Sequence, residues 1–325
     1  MKIISNDDVA QLLPMAEAID VVETAMISVA KGTETLPLRS AIPVGGHNKM
    51  GIMPGAITEP GCFGVKLVSL FPQNPEKGLS SHRGAIVLFE RKTGGAIAMM
   101  DAGLLTALRT AAASGAATRA LSNQHSTSLA IIGTGEQAEH HLDAMIAVRP
   151  IQNVRIAGRS PEKAARFSEH ASQKYPDIAF SSGTDVAAAV KEVDIICTVT
   201  ASPTPILKGE WITAGTHLNV VGSSIPTMRE VDDAAVLKAD IWVDYFPSWE
   251  AQAGEIVDMV AAGIISTDYL QGEIGAVYSG DLAGRADESQ ITFYRSLGIA
   301  AQDLATAHYV LDKAIQKGLG QDVKF

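Results

Sequence analysis

The chain has 325 residues, 46% hydrophobic and 19% charged, long enough for two hydrophobic cores and balanced like a soluble protein. Twenty-six basic residues stand against 36 acids, a formal charge of −10 without a dense Lys/Arg block, which argues against a nucleic-acid partner. No apolar run approaches the ~18 residues of a membrane span, so no membrane partner is expected. The start, "MKIISNDDVAQLLPM", lacks the order of a secretory signal. Cys62 and Cys197, far apart, support neither a disulfide framework nor a zinc site. The expectation is a cytoplasmic protein.

In chain order, "LPLRSAI" predicts a short strand-like segment carrying Arg39. "FGVKLVSLFPQN" predicts a strand whose alternation groups Lys66 with Val68 and Leu70 on one face. "SSHRG" sets His82 in a loop as a hydrogen-bonding residue; the eight histidines show no metal-ligand spacing. "DAGLLTALRTAAASGAATRALS" is an Ala-rich helix with Arg109 near its centre. Small residues at 111–113 and 115–117 let neighbours pack closely, so this helix is buried. Its guanidinium then needs an anion, either a structural carboxylate or a ligand. Each cation alone has a plain structural account. Three cations in apolar settings point to a pocket for a carboxylate.

The middle of the chain reads "SLAIIGTGEQAEHH", residues 128–141. An apolar strand feeds a turn in which Gly133 and Gly135 allow close approach. Ala138 stands where the third glycine of G-x-G-x-x-G/A is replaceable, and a helix follows. Such a turn is compatible with a purely structural strand–turn–helix as well as with a pyrophosphate at the helix start. Context favours the dinucleotide. "NVRIAG" (153–158), "DIICTVT" (194–200), "THLNVVG" (216–222) and "DIWVDYF" (240–246) follow as further apolar strands, with helical segments such as "SPEKAARFSEHASQKY" and "DVAAAVKEV" between. This predicts an α/β chain with a doubly wound parallel sheet. After "NVRIAG", Arg159, Ser160 and Lys163 stand where an NAD-binding chain has an acid, which suits the 2′-phosphate of NADPH, with NADH as the second possibility. His140 and His141 are expected on the helix surface or in packing positions. Glu255, in "AGEI", is a weak candidate for the cofactor cleft.

Along nearly its whole length the chain resembles the ornithine cyclodeaminase/mu-crystallin family. The resemblance is carried by "GVKLVSLFPQNPEKGLSSHRG", "DAGLLTALRTAAASGAATRALS", "AIIGTGEQAEHHL", "GTHLNVVGSSIPTMREVD" and "ITFYRSLGIAAQDLATA". It implies an α+β substrate-binding and dimerisation domain over 1–118, completed by 295–325, and a Rossmann-type domain over 119–294. It maps the substrate-carboxylate cations onto Arg39, Lys66 and Arg109. It assigns the cofactor to Thr110, the turn Gly133-Thr134-Gly135-Glu136-Gln137-Ala138, Thr198, Ser202, Asn219, Gly222 and Ser223, and it implies a homodimer.

Ornithine cyclodeaminases carry an aspartate in the segment matching "NVVGSSIPTMRE", at the position of Ser224. A hydroxyl supplies no anionic partner or base at neutral pH without an activating group. The motif therefore resembles the branch of imine reductases, amino-acid dehydrogenases and mu-crystallin. The implied activity is NAD(P)H-dependent reduction of a cyclic ketimine carboxylate, 1-pyrroline-2-carboxylate to L-proline or its six-membered homologue to L-pipecolate. Lys66 is then either the proton donor or a third carboxylate ligand, with Ser224 beside the substrate. Reductive amination of a 2-oxo acid, diamine cyclodeamination and a non-catalytic NADPH-binding role are the alternatives.

Overall fold

The computed structural model describes residues 1–324. Its contacts divide the chain into two compact units, Met1–Ala113 with Gly298–Phe325, and Ser114–Leu297. The chain opens with β1 (Lys2–Ile4), α1 (Asn6–Leu12), α2 (Met15–Ala30), β2 (Ser40–Gly45), β3 (Asn48–Ile57), β4 (Cys62–Leu70), β5 (His82–Glu90), β6 (Ala96–Asp101) and α3 (Gly103–Leu121). There follow β7 (Ser128–Ile132), α4 (Glu136–Val148), β8 (Asn153–Ala157), α5 (Pro161–Lys174), β9 (Ala179–Gly183), α6 (Val186–Val190), β10 (Ile195–Thr198), β11 (His217–Val220), α7 (Asp233–Lys238) and β12 (Asp240–Val243). Then come α8 (Phe246–Gln252), α9 (Gly254–Ala261), β13 (Gly272–Glu273), α10 (Ile274–Ser279) and β14 (Thr292–Arg295), and the chain closes with α11 (Ala300–Lys317) and β15 (Gln321–Asp322).

The first unit is a sheet in the order β15-β1-β6-β5-β4-β3-β2, antiparallel except where β1 pairs with β6. On β4 the side chains of Cys62, Lys66 and Val68 are buried while their neighbours are half-buried, so the alternation expected around Lys66 holds. Its cross-strand neighbours are Met53 and Ile86, both buried. Helix α11 packs on β3, β4 and β5 and against α2. The approach is close because two strand glycines leave room. A Cβ on Gly55 would lie 3.0 Å from the Ala300 Cβ, and one on Gly64 would lie 3.0 Å from the Leu304 Cδ2.

The second unit is a parallel sheet in the order β13-β12-β14-β11-β10-β7-β8-β9, and all four strands expected after the glycine turn are in it. The order reverses beside β7, where β8 and β9 run to one side and β10 to the other. In such sheets ligands bind past the carboxyl strand ends at that reversal. Alternate residues Ala130, Ile132, Ile196, Leu218, Val220, Ile241, Val243 and Phe293 share one apolar core. The other face carries buried polar groups: Asn219 donates to the Thr118 Oγ1 at 2.8 Å, and a His217 ring nitrogen lies 2.9 Å from the Thr292 Oγ1.

Leu304 is fully buried against the two strand glycines. Leu304→Ala is expected to lower stability by about 2–5 kcal/mol, the range for emptying a packed leucine site. A urea midpoint that stays at the wild-type value would show that α11 is not seated on the sheet as described.

Candidate functional site

Two clusters stand out, one in each unit. In the first, the buried charged side chains are Lys66, Arg109 and Asp303 among the described residues. The Lys66 Nζ donates to the Asp303 Oδ1 at 2.8 Å, and the Arg109 Nε donates to the same oxygen at 2.8 Å. The Arg109 Nη1 donates to the Gln302 Oε1 at 2.9 Å. The Arg39 Nη2 donates to the carbonyl of Gly298 at 2.9 Å. Gly298 has φ +76°, and a Cβ there would overlap the Arg109 guanidinium, so only glycine fits between the two arginines. The three cations expected to act together are thus gathered in one unit.

The charges do not balance. Two buried cations share one carboxylate, with Arg39 beside them. Burial pushes the Lys66 ammonium down to about 7, helped by the charges of Arg109 and Arg39 and opposed by Asp303. The folded protein therefore carries the penalty of this charge fully below about pH 7. The penalty fades as pH rises from about 7 toward the ordinary lysine value, where the unfolded chain too loses its proton. The Asp303 Oδ2 is buried without a hydrogen-bond partner among the described residues, so an acceptor remains beside the ammonium.

In the second unit the strand register forms a row at the carboxyl ends: Ala157, Ile132, Thr198, Val220, Arg295 and Val243 lie side by side. Most of the expected cofactor residues lie at or just beyond this row. Gly133 has φ +130°, and a Cβ there would lie 2.8 Å from the Val199 carbonyl, so the turn requires glycine. Gly135 starts α4 with no side-chain cap and with open space where its Cβ would be. Uncapped N–H groups on a glycine turn suit a pyrophosphate, so the residues present fit a dinucleotide. Thr134 packs against Gly158, and Glu136, Gln137 and Ala138 form the first turn of α4.

The other expected positions divide. Arg159 and Lys163 are exposed in the loop after β8 and the first turn of α5. The Ser160 hydroxyl caps α5 by accepting from the Lys163 N–H at 3.2 Å, and it donates to the Glu162 Oε2 at 2.6 Å. A carboxylate therefore stands where the sequence reading expected only cations and a hydroxyl. The Thr198 Oγ1 donates to Glu230, and the Ser202 Oγ donates to the Thr204 carbonyl at 2.7 Å. Asn219 sits one residue inside the row with its side chain buried. Gly222, Ser223 and Ser224 form the loop after β11. Thr110 lies beside Arg109 on α3 and donates to the Thr106 carbonyl at 2.6 Å. His82 begins β5, its Nδ1 2.9 Å from the Ser81 Oγ. His141 is buried against the Ser114 Oγ at 3.0 Å, and burial holds its ring near pKa 4, hence neutral. Glu255 is fully buried in an ion pair with Arg295.

Asp303, Gln302, Gly298, Glu230 and Arg295 escaped the sequence reading. Only Asp303 left a local signal, an acid set one turn from Ala300 and from Ala307 on the buried face of a helix.

The model of the ornithine cyclodeaminase/mu-crystallin family matches residues 1–318. A Delta(1)-pyrroline-2-carboxylate reductase of Bacillus cereus is 32% identical over 100% of both chains. The structure of Thermococcus litoralis Delta(1)-pyrroline-2-carboxylate reductase in complex with NADH and L-proline superposes with a TM-score of 0.95 at 34% identity, over 99% of this chain and 100% of that one. An archaeal alanine dehydrogenase dimer with bound NAD gives 0.93 at 32% identity, over 100% of this chain and 99% of that one.

Asp303→Asn leaves Lys66 and Arg109 without their anion. Removing one partner of a buried pair is expected to cost about 3–5 kcal/mol of stability. Because Asp303 raises the Lys66 pKa, the variant should also move any Lys66-dependent titration to lower pH. Equilibrium urea unfolding and the pH profile of the surviving activity check both.

Proposed function

We propose that this chain, which belongs to the ornithine cyclodeaminase/mu-crystallin family, is a nicotinamide-dependent reductase of cyclic ketimine carboxylates that converts 1-pyrroline-2-carboxylate to L-proline. The observation that carries this reading is the excess of positive charge at the buried Lys66 and Arg109 with the half-buried Arg39 beside them, which an organic carboxylate would neutralise. The similar proteins named for this imine and for L-proline support the same choice.

The roles follow from the hydrogen bonds. Asp303 and Gln302 fix Arg109 through Nε and Nη1, which leaves Nη2 for a ligand oxygen. The Gly298 carbonyl orients Arg39, the second arm for the carboxylate. A guanidinium fixes the direction of a carboxylate as well as its charge. Lys66, with a pKa lowered to about 7, holds a proton that it can give to the ring nitrogen near neutral pH. The 133–138 turn and the loops after β10 and β11 would hold a reduced nicotinamide dinucleotide, which would supply the hydride for the imine carbon. Ser224 offers a hydroxyl where cyclodeamination would use an acid, which favours reduction over amine displacement. We assign substrate binding and dimerisation to the first unit and cofactor binding to the second, in a homodimer. For the cofactor we propose NADPH over NADH, with Arg159 and Lys163 facing the 2′-phosphate and Glu162 limiting the preference.

Purified protein is expected to oxidise NADPH with 1-pyrroline-2-carboxylate faster than with a 2-oxo acid and ammonia, and to release no ammonia from ornithine. A reversed order between the first two would replace imine reduction by reductive amination. The rate should fall about tenfold per pH unit above pH 7, as Lys66 loses its proton. Lys66→Arg keeps the charge but holds its proton too tightly to donate it, so kcat should drop ~100-fold with little change in imine KM. Unchanged kcat would make Lys66 a carboxylate ligand alone.

Arg159→Ala should raise the KM for NADPH about tenfold and leave that for NADH nearly unchanged, while Glu162→Gln should shift the preference toward NADPH. Parallel titrations with both reduced cofactors decide this.

A further inference from the structure

The apolar face of the second unit's sheet ends in two polar residues, Thr198 and Arg295, both buried. Each meets an acid from the segment covering that face. Glu230 is fully buried, and its two oxygens accept four hydrogen bonds. Oε1 takes the Thr200 N–H at 2.6 Å and the Thr200 hydroxyl at 2.8 Å; Oε2 takes the Gly222 N–H at 2.6 Å and the Thr198 hydroxyl at 2.9 Å. Its own backbone is fixed as well, since the Glu230 carbonyl accepts the N–H groups of Ile206 at 2.8 Å and Leu207 at 3.0 Å. One side chain thereby ties the end of β10 to the end of β11. Gly222 must be glycine for this, because a Cβ would overlap the Thr200 backbone and come within 2.7 Å of the Glu230 Oε1. From the other direction, the Arg295 Nη2 donates to the Ser223 carbonyl at 2.7 Å and to the Ser223 hydroxyl at 2.9 Å, with Glu255 balancing its charge.

We propose that Glu230 is a positioning residue for dinucleotide binding: it sets the loops 199–202 and 221–224 in one arrangement, and Arg295 with Glu255 holds the second loop from beneath. The proposal rests on the reading that these loops hold the nicotinamide end of the cofactor. The chemistry is specific to a carboxylate. Each Glu230 oxygen faces a backbone N–H, which only donates. A glutamine at 230 therefore sets its NH2 group against an N–H whichever way the amide is turned, and leaves a buried donor unmet. A purely structural brace would lower stability without selecting the cofactor over the imine.

The experiment compares wild type, Glu230→Gln, Thr200→Val and Thr200→Ser. NADH and NADPH dissociation constants come from fluorescence titration, KM values for dinucleotide and imine from kinetics, and amide exchange from the free protein. For Glu230→Gln the dissociation constants should rise about tenfold or more, the imine KM should change less than about twofold, and exchange should quicken at 199–202 and 221–224. Thr200→Val removes the hydroxyl that donates to Glu230 and accepts the Ser202 N–H at 3.2 Å, and should weaken dinucleotide binding about threefold; Thr200→Ser restores the hydroxyl and should return it to the wild-type value. Unchanged dinucleotide affinity in Glu230→Gln, or equal losses for cofactor and imine, overturns the proposal. Should Glu230→Gln fail to fold, unchanged affinity in Thr200→Val overturns it. Wild-type protein that binds neither dinucleotide removes the functional reading and this proposal with it, whereas wild-type binding matched by Glu230→Gln removes this proposal alone.

Discussion

Everything in the first unit turns on a carboxylate shared between two buried cations. Lys66 comes from β4, an inner strand of the first unit's sheet, and Asp303 comes from a helix that returns 237 residues later. Taking an ammonium out of water is expensive, and without Asp303 the lysine would simply be neutral. The glycines at 55 and 64 bring α11 down onto the strands, so they also set the distance from Asp303 to Lys66. Packing and electrostatics are one constraint here. The helix that completes the core delivers the acid that keeps the lysine near its protonation midpoint at neutral pH.

The two clusters described above treat buried charge differently. In the second unit Arg295 and Glu255 neutralise each other, and Glu230 is matched by four donors. Such closed networks fix loops and leave little to offer a ligand. In the first unit's buried cluster two cations, Lys66 and Arg109, face the single carboxylate of Asp303. An open imbalance of this kind is costly in the free protein and is relieved when a ligand supplies the missing anion. On the proposed function, binding energy would thereby be directed to the carboxylate, the part of the substrate that does not react.

How far the sequence revealed this depended on whether the deciding partner was local. The alternation around Lys66, the strand–turn–helix at 128–148 and the buried helix carrying Arg109 rest on neighbours within a few residues, and all three are present. Strand β9, "AFSSG", reads as a loop because serine and glycine dominate it, and β14, "TFYR", hides behind a charged end; only their places in the sheet make them strands. The partnerships Lys66–Asp303, Glu230–Gly222 and Arg295–Ser223 join segments that no spacing rule relates. Ser160 carries a second, local signal. Serine followed by Pro161 at a helix start is a local cap signal, and the hydroxyl read as a phosphate ligand serves that cap.

The serine at 224 fits the same logic. Displacing an amine needs a second ionisable group to move protons on the substrate's nitrogen as it attacks or leaves. Reduction of an already formed imine needs one proton, delivered to one nitrogen. On the proposed function, a single lysine whose pKa is lowered to about 7 by burial would meet that need, since near neutral pH it gives its proton readily and regains it from water. On the proposed function, the uncharged hydroxyl at 224 thus leaves Lys66 as the group that supplies this proton, and the missing acid and the lowered lysine both favour reduction over amine displacement.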